Sequence, residues 1–472
     1  MEKHGHLIDG KWVQEGEGFS VLDKYTLEEF ARVQEASRGN VTKAVDNALH
    51  TFHTIKLSSK ERYNILMKAA RIIEKQKEAL AMLLVHEVGK SLKDAQVEIE
   101  RGHQTLIASA EEAKRITGTG IPLALDQVED KTAFTIRVPV GVIGAITPFN
   151  FPFLLTIHKI GPAIAAGNTV VLKPSELTPL ISCKLADILL EAGLPPGFLN
   201  VVNGRGETTG EYLLEDERVS MYTFTGSPKV GRHIKSKTGI KKVTLELGNN
   251  SPNIIHKDAP DLKKAAELCV RRGFANAGQA CISVQRVYVH KERYEDFIAI
   301  AKEVGNSLIV GDPKDPETDI GTMITEKEAS RIDKWIQEAV KGGATCILGG
   351  KREKSQYYPT ILTDVKPTMN VMCKEVFAPV INIISYEDID DVFTQANDSP
   401  YGLQAGVFTQ DLKVAMRAAH VLEYGGVIIN DVSTYRADVM PYGGVKNSGI
   451  GKEGPYYAIQ EMTEERIVVI NY

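Results

Sequence analysis

Between residues 142 and 246 short apolar runs alternate with helical segments, and this alternation limits the folds open to the chain. The runs are 142–146, 169–172, 198–202, 221–225 and 242–246; between them lie helical patterns at 158–166, 179–192, 206–214 and 230–237. Strand–helix alternation of this kind predicts a parallel sheet covered by helices. A second series begins near Ser251, with runs at 254–255, 286–289 and 427–430 and helical patterns at 261–274 and 292–308. At 472 residues the chain exceeds one ordinary core, so two α/β units in tandem are expected.

The N-terminal quarter reads as mostly helical. Ser58-Ser59-Lys60-Glu61 forms a capping box, and Ile65, Leu66, Ala69, Ile72 and Ile73 follow at helical spacing toward Gly89. A second helix is expected over 92–116. Residues 132–140 alternate and are β-branched, as a strand does, and 466–470 form a β-rich tail that needs a partner across a unit or subunit boundary. Residues 138–157 carry no charge and approach the length of a membrane span, yet Pro139, Pro148 and Pro152 interrupt them. A buried strand followed by a turn is the better reading.

The net charge of −5 gives no electrostatic support to nucleic-acid or membrane-surface binding. The five cysteines, Cys183, Cys269, Cys281, Cys346 and Cys373, are odd in number and far apart. They form neither a disulfide framework nor a metal-ligand pattern, so reduced thiols in a cytoplasmic protein and no metal are expected. Residues 1–10 lack the apolar core of a signal peptide.

Three residues stand out chemically. Most buried cysteines are inert, but Cys281 ends the small-residue run Ala275-Asn276-Ala277-Gly278-Gln279-Ala280, a loop able to present a thiol beside backbone amides. The other four lack that setting. Glu246, between Leu245 and Leu247, is either a solvated strand-end carboxylate or a buried one with a raised pKa, fit to act as a base. Asn150 sits in Pro148-Phe149-Asn150-Phe151-Pro152, where the flanking rings restrict it and its amide could donate to an oxyanion.

With these three in order, the chain resembles the hydrolytic, NAD(P)-dependent aldehyde dehydrogenases. Lys173-Pro174-Ser175-Glu176, Phe224-Thr225-Gly226-Ser227, Lys374-Glu375-Val376-Phe377 and residues 441–449 (Pro-Tyr-Gly-Gly-Val-Lys-Asn-Ser-Gly) extend the likeness over some three hundred residues. The resemblance implies a Rossmann-like cofactor domain (1–120 and 140–248), an α/β catalytic domain (249–447) and oligomerisation strands (121–139 and 460–472) that make a homodimer or homotetramer. It implies Cys281 as the nucleophile toward an aldehyde. Asn150 and the Cys281 N–H would hold the oxyanion, Glu246 would serve as the base for thioester hydrolysis, and Lys159 and Glu453 would relay a proton. For the cofactor it implies Thr147, Pro148, Lys173, Glu176, Gly226, Ser227, Leu247, Glu375 and Phe377. Glu176 would favour NAD, and Lys173 leaves room for NADP. No GxGxxG is present; 204–210 is spaced one residue too wide and reads as a turn entering a helix.

Two positions depart from the family pattern. Gly248-Asn249 stands where a glycine pair is usual, which bears on the backbone beside Glu246, and Ala378 stands where glycine is frequent. For the substrate the resemblance points to Arg101, His158, Arg436 and Tyr442. Residues 435–444 resemble lactaldehyde, phosphonoacetaldehyde and non-phosphorylating glyceraldehyde-3-phosphate dehydrogenases. Two arginines suit a small anionic aldehyde, succinate semialdehyde included; ordinary salt bridges within a broad-specificity dehydrogenase of neutral aldehydes are the alternative. A thiol hydrolase would need a histidine partner such as His158 or His290. A CoA-acylating relative would typically lack Glu246. A non-catalytic homologue would have lost one of the three central residues, and all three are present.

Overall fold

The computed structural model describes residues 3–123 and 130–472. Part of the expected strand segment 121–139, residues 124–129, lies outside the described residues. Three helices follow the N-terminal strands: α1 (Arg38–Thr54), α2 (Ser59–Val88) and α3 (Leu92–Ala113). The capping box at Ser58 is formed, the Ser58 hydroxyl accepting from the Glu61 amide and the Glu61 carboxylate from that of Ser58. Gly89 ends α2 in the left-handed conformation (φ 79°), and Ser91 caps α3 two residues later.

An eight-stranded sheet runs in the order Gly449–Ile450, Lys242–Glu246, Met221–Thr225, Val142–Ile146, Thr169–Lys173, Leu199–Val201, His6–Ile8, Lys11–Val13. Its five central strands, Lys242–Glu246 through Leu199–Val201, are parallel, as the alternation predicts. A seven-stranded sheet has the order Thr345–Leu348, Thr360–Thr363, Val380–Tyr386, Arg286–His290, Pro252–Ile255, Gln404–Phe408, Gly426–Ile429. A third sheet pairs Thr463–Asn471 with Lys131–Pro139 over nine residues, and the latter with Gly120–Ile121.

The structure differs from the sequence reading at the N-terminus and at the start of α4. The N-terminal quarter is mostly helical, as expected, but residues 3–36 are not: they form short strands of two to six residues, too brief to show periodicity. The helix expected at 158–166 starts earlier, so that α4 is Pro152–Ala166. Pro152 occupies its first turn, where a missing N–H costs nothing. Pro162 lies inside α4 without ending it, because the helix is buried along its whole length and packing outweighs the lost bond. Among the described residues no helix is long and apolar enough to cross a membrane.

The largest core cluster joins α2, α3 and α4 to the first sheet. Leu66, Ile73, Leu84, Leu106, Phe153 and Ile157 are fully buried there with Ile143 and Val170. Each such side chain contributes about 1.5–3 kcal/mol. Gly102 lets α3 and α4 close together: a Cβ there would come within 2.6 Å of the Phe153 ring. This packing sets where the N-terminal end of α4, and the turn before it, sit over the sheet.

Candidate active site

In the first sheet, chain order reverses beside Val142–Ile146: the chain continues to Thr169–Lys173 on one side and later to Met221–Thr225 on the other. A crevice outside the carboxyl ends of the strands belongs at such a point. It is present as a cavity of about 590 Å³. Strand ends supply Thr147, Lys173, Thr225, Glu246 and Leu247; Asn150 and Cys281 close one end, and Glu375 and Phe377 line it from the second sheet's side. Pro148, Glu176, Gly226 and Ser227 also border it.

Cys281 follows a run of left-handed backbone at Asn276 (φ 50°), Ala277 (φ 52°) and Gly278 (φ 69°). Such conformations cost about 1–2 kcal/mol per non-glycine residue. Hydrogen bonds hold the run in place. The Asn276 amide nitrogen donates to Asp94 (2.7 Å), and its side chain donates to the carbonyls of Asn150 (3.1 Å) and Gln279 (3.3 Å). Gly278 is required, since a Cβ would sit 2.0 Å from the Ala378 carbonyl oxygen. Cys281 Sγ is half-buried and lies 3.0 Å from the Tyr442 hydroxyl. Burial pushes the thiol up to about 11, against the lowering pull of the Tyr442 hydrogen bond and the Arg436 charge. Of the other cysteines, Cys183 and Cys269 are buried and Cys373 is exposed. None of the four borders the cavity.

Asn150 donates its side-chain amide to the Gln279 carbonyl at 2.9 Å. The amide has a second hydrogen, which meets no acceptor among the described residues; the Cys281 backbone N–H is equally free. Two donors thus stand unused beside the thiol. Glu246 ends its strand buried, and neither carboxylate oxygen has a partner among the described residues. Burial and the neighbouring Glu453 carboxylate raise its pKa well above the usual range. Gly443 gives Glu246 room: a Cβ there would lie 2.9 Å from Oε1.

Behind the thiol is a buried charge network. Lys159 donates to Glu453 at 3.0 Å, and Arg436 donates to the same carboxylate at 3.1 Å. Burial works against the Glu453 carboxylate, yet Lys159, His158 and Arg436 outweigh it and hold its pKa at about 2. The Arg436 guanidinium lies 3.6 Å from the centre of the Tyr442 ring. Arg101 grips Asp438 with two bonds (2.9 and 2.8 Å), and His158 Nε2 lies 3.0 Å from the same carboxylate. Burial, then Arg436, lower the His158 pKa, with Asp438 and Glu453 opposing. Arg101, His158, Arg436 and Tyr442 are thus brought together around Asp438, set back from the main cavity.

At the other end, Lys173 Nζ lies 3.2 Å from the half-exposed Glu176 carboxylate. Ser227 caps the helix Pro228–Thr238, accepting from the Val230 amide. Glu375 accepts from the Asn249 N–H at 3.1 Å, and burial carries its pKa to about 7. Phe377 (φ 52°) stands edge-on to Phe149 at 5.9 Å.

The residues fit one family. The Aldehyde dehydrogenase family model matches residues 12–468. The chain is 53% identical over 472 residues to 3-sulfolactaldehyde dehydrogenase of Priestia megaterium, covering 100% of this chain and 98% of that protein. It is 42% identical to lactaldehyde dehydrogenase of Methanocaldococcus jannaschii, over 98% of this chain and 100% of that one. Among solved structures, aldehyde dehydrogenase 21 of Physcomitrella patens, in complex with its reaction product succinate, superposes with a TM-score of 0.97 at 35% identity, covering 100% and 98% of the two chains. The glyceraldehyde-3-phosphate dehydrogenase GapN of M. jannaschii, complexed with NADP, gives 0.94 at 40%, covering 98% and 100%. The chain belongs to the aldehyde dehydrogenase family.

This NAD(P)-dependent aldehyde dehydrogenase has a cavity that suits its cofactor. The capped helix start at Ser227 offers backbone donors to an anionic pyrophosphate. Gly226 is required by close packing, since a Cβ there would strike the Phe224 ring at 2.4 Å. The unusual Asn249 does not disturb the backbone beside Glu246: its φ is negative, its side chain donates to Ser251 Oγ at 2.7 Å, and its N–H serves Glu375. Sequence reasoning missed Asp438, which organises both arginines, and Arg331 and Trp335, which line the cavity from the helix Glu326–Lys341. An Arg-x-Asp spacing at 436–438 was the one local signal for the first; the other two carried none.

The thiol environment predicts a pH profile. In the ligand-free enzyme, alkylation of Cys281 by iodoacetamide, followed peptide by peptide by mass spectrometry, should rise with unit log slope from about pH 7 to 10 with no plateau. Tyr442→Phe removes a donor to the thiolate, so its pKa moves further up and the rate at each pH falls several-fold. A plateau below about pH 9, or faster alkylation in the variant, would contradict this.

Proposed function

We propose that the enzyme oxidises a small aldehyde bearing an anionic group, through a covalent adduct on Cys281. The observation that carries the chemistry is the convergence of a cavity-facing thiol, two unused N–H donors and an unpartnered buried carboxylate. The Cys281 thiolate forms a C–S bond to the aldehyde carbon, and the new oxyanion accepts from the Asn150 amide and the Cys281 N–H. NAD(P), when bound against Thr147, Pro148, Lys173, Glu176, Gly226, Ser227, Leu247, Glu375 and Phe377, supplies the hydride acceptor. Glu246 then takes a proton from the water that attacks the thioester carbon; the C–S bond breaks and the thiol is restored. Lys159 and Glu453 carry the proton onward from Glu246.

Cys281→Ala should reduce turnover by at least about a thousandfold while retaining NAD binding. Glu246→Gln should show a burst of NADH followed by slow release, with loss of the pH limb set by the raised Glu246 pKa, below which the carboxyl is protonated and cannot accept. Steady-state turnover near wild type in either variant would remove that residue's role.

The substrate reading rests on charge. In the network behind the thiol, Arg101, Arg436 and Lys159 face Asp438 and Glu453, with Glu246 close by and pushed toward its neutral form, so one positive charge is in excess while Glu246 is protonated. The 53% relative is named for an aldehyde carrying a sulfonate, and a sulfonate or phosphonate on a short hydroxyaldehyde would match that excess. With neutral and anionic aldehydes of equal size, kcat/KM should favour the anionic ones at least about tenfold, and Arg101→Ala should erase most of the preference. Equal use of neutral aldehydes would leave a broad-specificity enzyme.

The strand Thr463–Asn471 lies at a sheet edge with Ile467, Val469 and Ile470 largely exposed, and we propose that it is covered by a second copy in a homodimer or homotetramer. Sedimentation should show a species of at least twice 51.8 kDa. The double variant Ile467→Lys, Val469→Lys should lower that mass, and a monomeric wild type would refute the assembly. The free thiols suit a reducing cytoplasm.

A further inference from the structure

One buried ion pair has no part in the chemistry above. Lys90 and Glu98 have no exposed side-chain surface and meet at 2.5 Å. Burying two charges is costly unless further hydrogen bonds satisfy them, and these bonds all lead to one place. Lys90 Nζ donates to the Asn150 carbonyl at 2.8 Å and lies 4.0 Å from the centre of the Phe151 ring. Glu98 Oε1 accepts from the amides of Phe153 (2.9 Å) and Leu154 (3.1 Å).

Those two amides open α4. Its N-cap is Phe151, which has no side-chain acceptor, so the first-turn donors would otherwise be unsatisfied. Glu98, from the middle of α3, replaces the missing cap and adds a negative charge at the helix's positive end. Lys90 stands at the elbow between α2 and α3, after Gly89 and before Ser91. The same elbow reaches the nucleophile loop: Asp94, in the first turn of α3, accepts from the Asn276 N–H, and the Gly89 carbonyl accepts from Thr322 at 2.8 Å. The Asn150 carbonyl is therefore held between Lys90 Nζ and the Asn276 side chain, which fixes its peptide plane and the direction of its Cα–Cβ bond.

We propose that Lys90 and Glu98 are positioning residues that aim the Asn150 amide at the oxyanion, and that the α2–α3 elbow sets the register of Asn150 against Cys281. This rests on the reading of Asn150 as an oxyanion donor. Neither residue touches the substrate; both act through the turn 150–154.

A double-mutant cycle on the full-length enzyme tests it, using Lys90→Met, Asn150→Ala and the pair, with kcat, aldehyde KM, NAD affinity by fluorescence titration and Tm. Asn150→Ala should lower kcat by about a hundredfold or more, as removal of an oxyanion donor does. Lys90→Met should lower kcat by about tenfold to a hundredfold with NAD affinity within about twofold, and by less than about threefold once Asn150 is already alanine. The Tm loss from Lys90→Met should be the same in both backgrounds, because stability does not pass through the side chain of Asn150. Kinetic losses that multiply would overturn the proposal and leave the pair a structural one. Asn150→Ala with kcat near wild type would instead remove the oxyanion reading, and this proposal with it. If Lys90→Met does not fold, Glu98→Gln, which keeps the side-chain volume, carries the same cycle and the same criteria.

Discussion

The 2.9 Å hydrogen bond from the Asn150 amide to the Gln279 carbonyl crosses from the first sheet's crevice to the loop that carries the thiol. The two residues are 129 apart in sequence, so nothing local holds them together. Around this bond the Asn276 side chain and Lys90 fix the Asn150 carbonyl, and Gln279 is anchored in turn by the Ile324 amide at 2.9 Å. A carbonyl adduct on Cys281 can be stabilised only if the donors are in place beforehand, because preorganised dipoles need no rearrangement as charge develops. The left-handed run at 276–278 would be costly by itself; the same bonds that aim the donors also hold that run.

Charge is distributed with similar economy. Glu453 is kept ionised by three basic neighbours, while Glu246, close to it, meets no donor and is driven toward the neutral form. Two carboxylates in one region thus have their pKa values pushed apart by their environments, an arrangement that suits them to separate tasks in proton transfer. The Cys281 thiol is likewise held up by burial, with Tyr442 and Arg436 opposing. Arg436 therefore serves two ends at once, since it balances Glu453 and lies over the ring whose hydroxyl meets the thiol.

Much of the fold was legible. The strands at 142–146, 221–225 and 242–246 were read to the residue because their β-branched runs are bounded by turns, and the capped start of α2 announced itself through Ser58 and Glu61. The short strands within residues 3–36 went unassigned because strands of two or three residues carry no period. The strands Thr360–Thr363, Val380–Tyr386 and Gln404–Phe408 went unassigned, although each is largely buried in the second sheet. Continuous apolar runs of that length lack the alternation that distinguishes strand from helix. The early start of α4 was obscured by Pro152, which breaks a helix in its middle but begins one comfortably.

The kinds of chemistry were written in the sequence: a thiol in a small-residue loop, a carboxylate between leucines and an amide between prolines are local facts. Their protonation states and partners were not. Lys159 meets Glu453 across 294 residues, His158 meets Asp438 across 280, and Arg101 meets the same aspartate across 337. A pKa depends on what surrounds a group and on how much water reaches it. Only the packing of α3 and α4 against the sheet brings those partners together, so which carboxylate stays charged and which is pushed toward its neutral form was decided by the tertiary structure.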